Sequence, residues 1–289
     1  MCRARLALVS SALFLCLFAG AAQAALGQAA ARPTPAATPA GIQTNVTEAP
    51  VDSSLADDPA VDNMLTVYSP KVRALDGVIG KLKGDLAKGG IGAGSLGNFI
   101  TDAVRAEASR KVGQPIVLAV TNAGGLRKSI IAEGDLRERD IFELMPFENA
   151  LMAFDLTGAQ VLDLLRIVVS YRDAQSGARI KYRMGNNKEP ELESARLLID
   201  GQEKEIDPAA TYTVISVDYL WKRRATKVSE TEGDYSVLRE AKNTKPLGIT
   251  IREALIQYVK RETAAGREIN SLPDSRFVLA SAAGEGQPQ

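Results

Sequence analysis

The spacing of apolar residues changes along the chain between a helical and a strand-like pattern. Three stretches carry apolar residues at the i, i+3, i+4, i+7 spacing of a buried helix face. Their apolar positions are Leu96, Phe99, Ile100, Ala103 and Val104; then Val161, Leu164, Leu165, Val168 and Val169; then Ile251, Leu255, Tyr258 and Val259. Ser95, Thr157 and Thr250 are placed to open these helices, and Gln160 completes a capping box with Thr157. A further helix is predicted over 61–73, where Pro70 can break it.

Strand signals lie between the helices. Five consecutive apolar residues, 116–120, predict a strand covered on both faces. The segments 78–80, 178–183 and 212–217 are also strand-like, and 276–280 can close a sheet. Asp200-Gly201 between two such runs, 196–199 and 203–206, predicts a hairpin. Mixed helices and strands with a hairpin indicate an α+β or mixed α/β fold.

The first 24 residues have the pattern of an export signal. Arg3 and Arg5 precede an apolar run, 6–18, and the Ala-Gln-Ala at 22–24 predicts cleavage after Ala24. The apolar run is shorter than the roughly 20 residues of a membrane-spanning helix. Cys16 as a lipid-bearing cysteine is disfavoured because the large Leu15 precedes it. A periplasmic or secreted protein without stable membrane insertion is therefore expected.

Composition narrows the chemistry. Cys2 and Cys16 are the only cysteines and lie within the leader, so the processed protein is expected to have neither disulfides nor thiol chemistry. Removing the leader leaves 33 basic and 35 acidic residues. This balance gives no electrostatic reason to expect binding to nucleic acid.

The predicted domain organisation has four parts. Residues 1–24 are the signal peptide, and the Ala- and Pro-rich stretch 25–57 is a disordered linker. Residues 58–281 are long enough for one folded domain, and residues 282–289 are a disordered tail.

The segment TNAGGLR after the strand at 116–120 suits a ligand site. A strand ending in Asn122, with Gly124 and Gly125 following, lets the backbone turn and approach a ligand, since glycine tolerates positive φ. Asn122 offers a donor and an acceptor, and Arg127 a planar fork for phosphate or hydroxyls. A plain strand-to-loop turn with a solvated arginine is the alternative.

Later segments add aromatic and polar groups. Phe147 follows a proline and can project from a loop to stack on a base, although most phenylalanines lie in the core. Tyr219 follows a strand, and Asp234 can accept hydrogen bonds from ribose hydroxyls.

Five segments in this order resemble the C-terminal, nucleotide-binding domain of the 5'-nucleotidase family. They are 95–103 (an LGN-then-DA helix in the family), 122–127 (NGGGIR), 146–149 (PFxN), 156–158 (LTG) and 233–235 (GGDGY). The resemblance covers about 58–280 and implies a layered α/β/β/α domain.

The resemblance also implies roles for individual residues. The base would lie between Phe147 and Tyr219, with Asn149 at its edge. Arg127 and Asn122, on the Gly124-Gly125 bend, would face the ribose or phosphate. Asp234 would bind the ribose hydroxyls.

Three departures from the family pattern stand out. The family arginine before the LGN helix is missing from 88–94, KGGIGAG, which puts phosphate affinity in question. Ala123 replaces a glycine, which is tolerable at negative φ. The insertion 220–233 contains Trp221, Lys222, Arg223 and Arg224. It is expected to be a solvated loop, or else to supply an aromatic or cation, or to block the cleft.

Family hydrolysis of phosphoric monoesters uses a separate metallophosphatase domain, in which histidines and aspartates hold two metals. This sequence contains no histidine, so no cofactor and no catalytic residue is expected in the chain, and divalent metals only on a separate partner. The leading hypothesis is the nucleotide- or nucleoside-binding half of a split 5'-nucleotidase, inactive alone and acting in nucleotide catabolism. The alternatives are a stand-alone carrier or sensor and a degenerate scaffold that binds nothing.

Overall fold

The computed structural model describes residues 46–222, 233–270 and 274–280 of the 289-residue chain. Residues 46–56 are exposed and form neither helix nor strand, and a compact unit begins at Asp57. The predicted leader 1–24, most of the linker 25–57 and the tail 282–289 lie outside the described residues, so these limits remain predictions. In the described part, no helix is long and apolar enough to cross a membrane.

Helices and strands are interspersed along this unit. The helices are α1 (Pro59–Thr66), α2 (Ser69–Ala74), α3 (Gly94–Val112), α4 (Glu138–Leu144), α5 (Gly158–Ser170), α6 (Asp218–Lys222), α7 (Ser236–Arg239) and α8 (Ile251–Ala264). The strands are β1 (Val78–Leu82), β2 (Leu86–Ala87), β3 (Leu118–Thr121), β4 (Ile130–Ile131), β5 (Gly134–Arg137), β6 (Ala150–Thr157), β7 (Ala174–Ser176), β8 (Ala178–Met184), β9 (Pro190–Ile199), β10 (Gln202–Glu205), β11 (Thr211–Val217), β12 (Lys242–Thr250) and β13 (Phe277–Leu279). Short 3₁₀ turns occupy Ile91–Ala93 and Ala123–Gly125.

Two main sheets form the centre of the fold. The first has five strands in the order β12-β6-β11-β3-β7, and the second has four in the order β10-β9-β8-β13. β3 lies inside the first sheet with all four residues buried, as its unbroken apolar run predicts. The pairs β1-β5 and β2-β4 form two small ribbons.

The helices pack on these sheets through the predicted apolar stripes. α3 packs against β3 and β7 and also against α8, while α5 packs on β9 and contacts β6 and β11. All five stripe residues of α3 and all five of α5 are buried. Of the four stripe residues of α8, three are buried and Tyr258 is partly exposed. Helices packed on two sheets confirm the α+β prediction.

Two of the three predicted helix starts are correct. Thr157 with Gln160 and Thr250 with Glu253 form capping boxes. Ser95 is not a cap, because α3 already begins at Gly94 and Ala93 is its N-cap residue. The Ser95 hydroxyl instead accepts a hydrogen bond from the Ala87 backbone N–H at 2.9 Å.

The remaining local predictions also have clear outcomes. β9 and β10 form the predicted hairpin, and both Asp200 and Gly201 have the positive φ that a type I′ turn requires. β13 adds to the second sheet parallel to β8. The predicted helix over 61–73 is two helices, interrupted just before Pro70.

Gly177 forms the corner at which the chain passes from one sheet to the other. β7 lies in the first sheet and β8 in the second, with only Gly177 between them. Its φ is +115°, and a Cβ at this position would overlap the carbonyl oxygen of Val117. Both the backbone conformation and the close approach therefore require glycine.

We expect Gly177→Ala to lower the free energy of unfolding by about 3 kcal/mol or more, since backbone strain adds to the overlap with Val117. Gly201→Ala is the matched control, because Gly201 also has a positive φ of +74° but has open space around its Cβ position. Its cost should be about 1–2 kcal/mol. Urea denaturation of both variants measures the difference, and equal losses would contradict the role of the corner.

Candidate functional site

The bend after β3 is the first wall of the candidate site. Asn122 follows the buried strand in an extended conformation, and its carbonyl accepts from the Gly125 N–H at 3.1 Å to close the 3₁₀ turn. The Asn122 side chain is itself buried. Arg127 leaves the bend with its N–H donated to the Leu144 carbonyl at 2.9 Å, which ties the bend to the end of α4.

The backbone of this bend does not use the positive φ that its glycines would allow. Neither Gly124 nor Gly125 has a positive φ, so conformational freedom is not the reason for them. A Cβ at Gly125 would lie 3.3 Å from Asn122 Oδ1, a tight contact that a small shift of the Asn122 amide would have to relieve. Ala123 also avoids positive φ, which confirms that alanine is tolerated at this position.

A buried carboxylate braces the bend from behind. Asp173 accepts the Ala123 N–H at 2.7 Å with one oxygen and the Tyr235 hydroxyl at 2.5 Å with the other. Asp173 and Tyr235 are 3% and 2% exposed. Burial, and then the nearby Asp173 charge, raise the pKa of the Tyr235 phenol well above its ordinary 10.0, so the phenol remains a donor.

A second wall is the loop between α4 and β6, which carries Phe147 and Asn149. Phe147 is 41% exposed, so it is not a core residue. Arg252, from the first turn of α8, donates to the Pro146 carbonyl at 3.3 Å and to the Glu148 carboxylate at 3.1 Å. Its guanidinium also lies 4.1 Å from the centre of the Phe142 ring. One arginine thus holds the loop that presents Phe147.

Tyr219 forms the third wall. β11 ends at Val217, and Tyr219 lies on the short helix α6 with 37% of its surface exposed. The preceding residue, Asp218, accepts the Ala150 N–H at 3.0 Å. This bond joins the segment that carries Tyr219 to the start of β6, directly after Asn149.

Seven of the eight predicted site residues line one cavity of about 220 Å³. They are Asn122, Gly124, Gly125, Arg127, Phe147, Asn149 and Tyr219, and no other residue contributes to its lining in the described part of the chain. Larger depressions lie elsewhere, such as one of about 410 Å³ beside Asp155 and one of about 350 Å³ beside Arg179. Those are more open to solvent and contain no exposed aromatic ring.

Asp234 is the exception among the predicted residues. It is exposed, does not line the cavity, and forms an ion pair with Arg239 at 2.9 Å. The adjacent Tyr235 is buried against Asp173, so the inward position at this segment belongs to the tyrosine. The structure therefore leaves Asp234 outside the cavity lining, and its contact with ribose hydroxyls stays a prediction.

Two cations near the cavity, Lys88 and Arg127, form no ion pair with a described residue, although the Asp173 charge acts on Lys88. The Arg127 guanidinium lies 5.0 Å from the centre of the Phe147 ring. Lys88 Nζ donates to the Leu126 carbonyl at 3.1 Å. By contrast Lys128, one residue after Arg127, forms ion pairs with Asp140 and Glu143.

The electrostatic environment of Lys88 disfavours its charge. Partial desolvation and the neighbouring Arg127 lower the pKa of Lys88 below its ordinary 10.5, against an opposing effect of Asp173. An anion placed next to Lys88 and Arg127 would reverse this effect, because it would favour the charged form of the lysine.

Four structurally important residues were missed by the sequence argument. Asp173, Asp218 and Arg252 hold the three walls, and Lys88 adds a second cation. Lys88 belongs to the segment 88–94 that lacks the family arginine, so a search for any cation there would have found it. Asp173 and Arg252 carry no local signal, since their partners are 50 or more residues away in sequence.

Of the predicted insertion 220–233, the structure describes residues 220–222 and 233. Leu220 is buried in α6, and Trp221 packs partly exposed against the core. Arg223 and Arg224 lie outside the described residues, so the competing predictions for this segment remain open.

Among the residues that the structure describes, no group of three or more acidic, histidine or cysteine side chains could hold a metal. We therefore derive no metal-dependent step from them.

Comparison with known proteins supports the relationship that the motifs suggest. Residues 78–225, just over half of the chain, match the family model described as 5'-nucleotidase, C-terminal domain. The trifunctional nucleotide phosphoesterase protein YfkN of Bacillus subtilis is 30% identical over 173 residues, which is 58% of this chain and 11% of YfkN. The 5'-nucleotidase of Vibrio vulnificus is 29% identical over 174 residues, which is 57% of this chain and 30% of that protein.

The fold has solved counterparts. The structure of the 5'-nucleotidase precursor from Thermus thermophilus superposes with a TM-score of 0.63 at 23% identity, over 77% of this chain and 43% of that one. The chain thus spans less than half of the length of these relatives.

Proposed function

Because the chain belongs to the 5'-nucleotidase family through its C-terminal domain, we propose that it binds a nucleotide or nucleoside in the cavity between the Asn122 bend, Phe147 and Tyr219. The observation that carries the proposal is the convergence of seven residues from three separate segments on one cavity. A scaffold that had lost its ligand would have no need to keep two aromatic rings exposed beside a buried asparagine.

The base is the part of the ligand that fits inside. The cavity of about 220 Å³ is smaller than the roughly 300–1,000 Å³ of pockets that enclose a whole drug-sized ligand. We assign Phe147 and Tyr219 to the faces of the base, because exposed rings gain most by stacking on a flat partner. Asn149 is placed to hydrogen-bond the edge of the base. A purine has the larger stacking area of the two base classes.

The phosphate lies outside the cavity, on the side of Arg127 and Lys88. Lys88 and Arg127 repel each other, and a phosphate between them would relieve that repulsion. The guanidinium fork of Arg127 suits phosphate oxygens, and the Lys88 ammonium adds a point charge. Lys88 thus replaces part of the missing family arginine in this proposal.

We further propose that the protein is the substrate-binding half of a split 5'-nucleotidase in nucleotide catabolism. It would hold the nucleoside part while a metallophosphatase domain on another chain presents its metals to the phosphate. Binding energy at the base would then serve to orient the scissile phosphate. The predicted leader supports a periplasmic or secreted location for this activity.

The first prediction concerns stacking. We expect Phe147→Ala to weaken adenosine and AMP binding by about 1–3 kcal/mol, because a stacked aromatic contributes that much in nucleic-acid sites. Phe147→Tyr and Tyr219→Phe keep the rings and should bind within a few-fold of the parent. Isothermal titration calorimetry measures all four proteins, and parent-like affinity of Phe147→Ala would remove the base from this cavity.

The second prediction concerns the phosphate and pH. We expect Lys88→Met to weaken AMP binding roughly tenfold while leaving adenosine binding unchanged, since only AMP offers an anion to the ammonium. For the parent protein, AMP affinity is highest at pH values below the lowered pKa of Lys88, where the amine is charged. It falls as pH rises through that pKa, because the neutral amine no longer attracts phosphate. Titrations above about pH 7.5 avoid ionisation of the phosphate itself.

The control for this pH dependence is Lys88→Arg. Its guanidinium stays charged throughout the range, so the fall in AMP affinity should disappear. If the parent and Lys88→Arg lose AMP affinity at the same pH, Lys88 does not face the phosphate.

The third prediction concerns hydrolysis. We expect the purified protein alone to release no phosphate from AMP, whichever of Mg²⁺, Mn²⁺ or Zn²⁺ is added, because its role is to position the substrate. Phosphate release is measured colorimetrically, with AMP binding confirmed in the same buffers. Metal-dependent release of phosphate by the single chain would overturn the split-enzyme proposal and leave the binding proposal intact.

A further inference from the structure

The segment before the first ribbon forms one kinked helical rod. α1 and α2 are joined by Val67 and Tyr68, and both joining residues keep right-handed helical backbone angles. The Tyr68 N–H donates to the Leu65 carbonyl at 2.9 Å, so the backbone continues without a loop. The break follows from Pro70, which has no N–H to donate to the preceding turn. We name Pro59–Ala74 the N-terminal rod.

The rod carries a stripe of exposed apolar side chains. Val61, Leu65, Tyr68 and Val72 follow each other at spacings of four, three and four residues, the seam of a two-helix contact. They are 46%, 47%, 60% and 53% exposed, and no residue of α1 or α2 is buried against the part of the chain that the structure describes. By contrast, the stripes of α3, α5 and α8 are buried in the core of the described unit.

The stripe is symmetric about its midpoint. Val61 and Val72 are equally far from the point between Thr66 and Val67, and so are Leu65 and Tyr68. Two such rods running in opposite directions therefore place Val61 opposite Val72 and Leu65 opposite Tyr68. A self-complementary patch of this kind fits a closed two-fold pair, in which each copy contributes the same surface.

The charges of the rod favour the same orientation. The two residues before it, Asp57 and Asp58, and Asp62 in its first turn are acidic, and Lys71 and Arg73 near its end are basic. None of these forms an ion pair with another described residue. Antiparallel rods bring each acidic end to the basic end of the other copy, whereas parallel rods place like charges together.

We infer that two copies of this chain associate through their N-terminal rods, antiparallel and related by a two-fold axis that passes between Thr66 and Val67. The pairing removes the four apolar side chains of each copy from water. No rod residue lines the ligand cavity, so the inference is independent of the proposed function.

Sedimentation velocity over a concentration series tests the association. We expect the protein to move from monomer to dimer as concentration rises, and Leu65→Glu to weaken the dimer at least about tenfold by placing two charges in the seam. Val112→Glu is the matched control, since Val112 is also an apolar helix residue and is 40% exposed outside the rod. It should dimerise like the parent, and all three proteins should have the same melting temperature at concentrations where the parent is a monomer.

Single cysteines test the orientation, in a chain whose Cys2 and Cys16 are replaced by serine. At about 1.5 Å of rise per residue, antiparallel pairing puts the two copies of position 65 about 5 Å apart along the axis and those of position 61 about 17 Å apart. Leu65→Cys should therefore form a disulfide-linked dimer on mild oxidation, and Val61→Cys should not.

Three results would overturn the inference. They are a monomer at every concentration, a dimer that survives Leu65→Glu, and efficient cross-linking of Val61→Cys. A monomer with the stripe protected from solvent would show that another segment of the chain covers it. Association only with an added metallophosphatase would assign the stripe to that partner.

Discussion

The shape of the candidate site depends on a single buried carboxylate. Asp173 accepts from the backbone of the bend and from the Tyr235 hydroxyl, and both bonds lie away from water. A buried charge is costly unless it is satisfied, so the two donors and the nearby Lys88 make this arrangement possible. The hydrogen bonds from the Arg127 N–H to the Leu144 carbonyl and from Lys88 to the Leu126 carbonyl hold the far side of the bend. Asn122 therefore faces the cavity because Asp173 fixes the residue next to it.

The same logic applies to the frame around the site. Arg276 is 9% exposed and donates to the carboxylates of Asp102 and Asp274 and to the Gln175 carbonyl. These bonds tie α3, the end of β7 and the segment leading into β13 together, next to the Gly177 corner. Desolvation by burial works against the charge of Arg276, but the hydrogen bonds and charges of Asp274 and Asp102 outweigh it and raise the pKa of Arg276 above its ordinary value. The two sheets thus meet at a satisfied charge instead of at an apolar seam alone.

The fold was predictable wherever the sequence signal is local. The spacing of apolar residues predicted the buried faces of α3, α5 and α8, and the residues at 157 and 250 predicted two helix starts. These features depend only on residues within two helical turns. Ser95 was misplaced because its hydroxyl has a partner in β2, which no pattern within the helix reveals. The same distinction holds for the site. The bend, the aromatic residues and Asn149 lie in short motifs and could be found.

What holds these motifs in place could not be found from the sequence. Asp173, Asp218 and Arg252 act across 50 to 107 residues, so only the folded chain shows which backbone groups they reach. Asp234 is a different case, because its predicted contact with ribose stays a prediction. A motif placed it at the site, yet burial of the neighbouring Tyr235 turned it outward, since a large ring gains more from the interior than a carboxylate does.

Arg252 has a consequence for how the cavity can discriminate. A single side chain holds two carbonyls and a carboxylate of the Phe147 loop while stacking on Phe142. Such a loop is already ordered before a ligand binds, so binding costs little conformational entropy of the loop. The same stiffness removes the option of reshaping around a poor fit. A rigid pocket excludes ligands that do not fit. The spacing between the Phe147 and Tyr219 rings therefore determines which ligands bind.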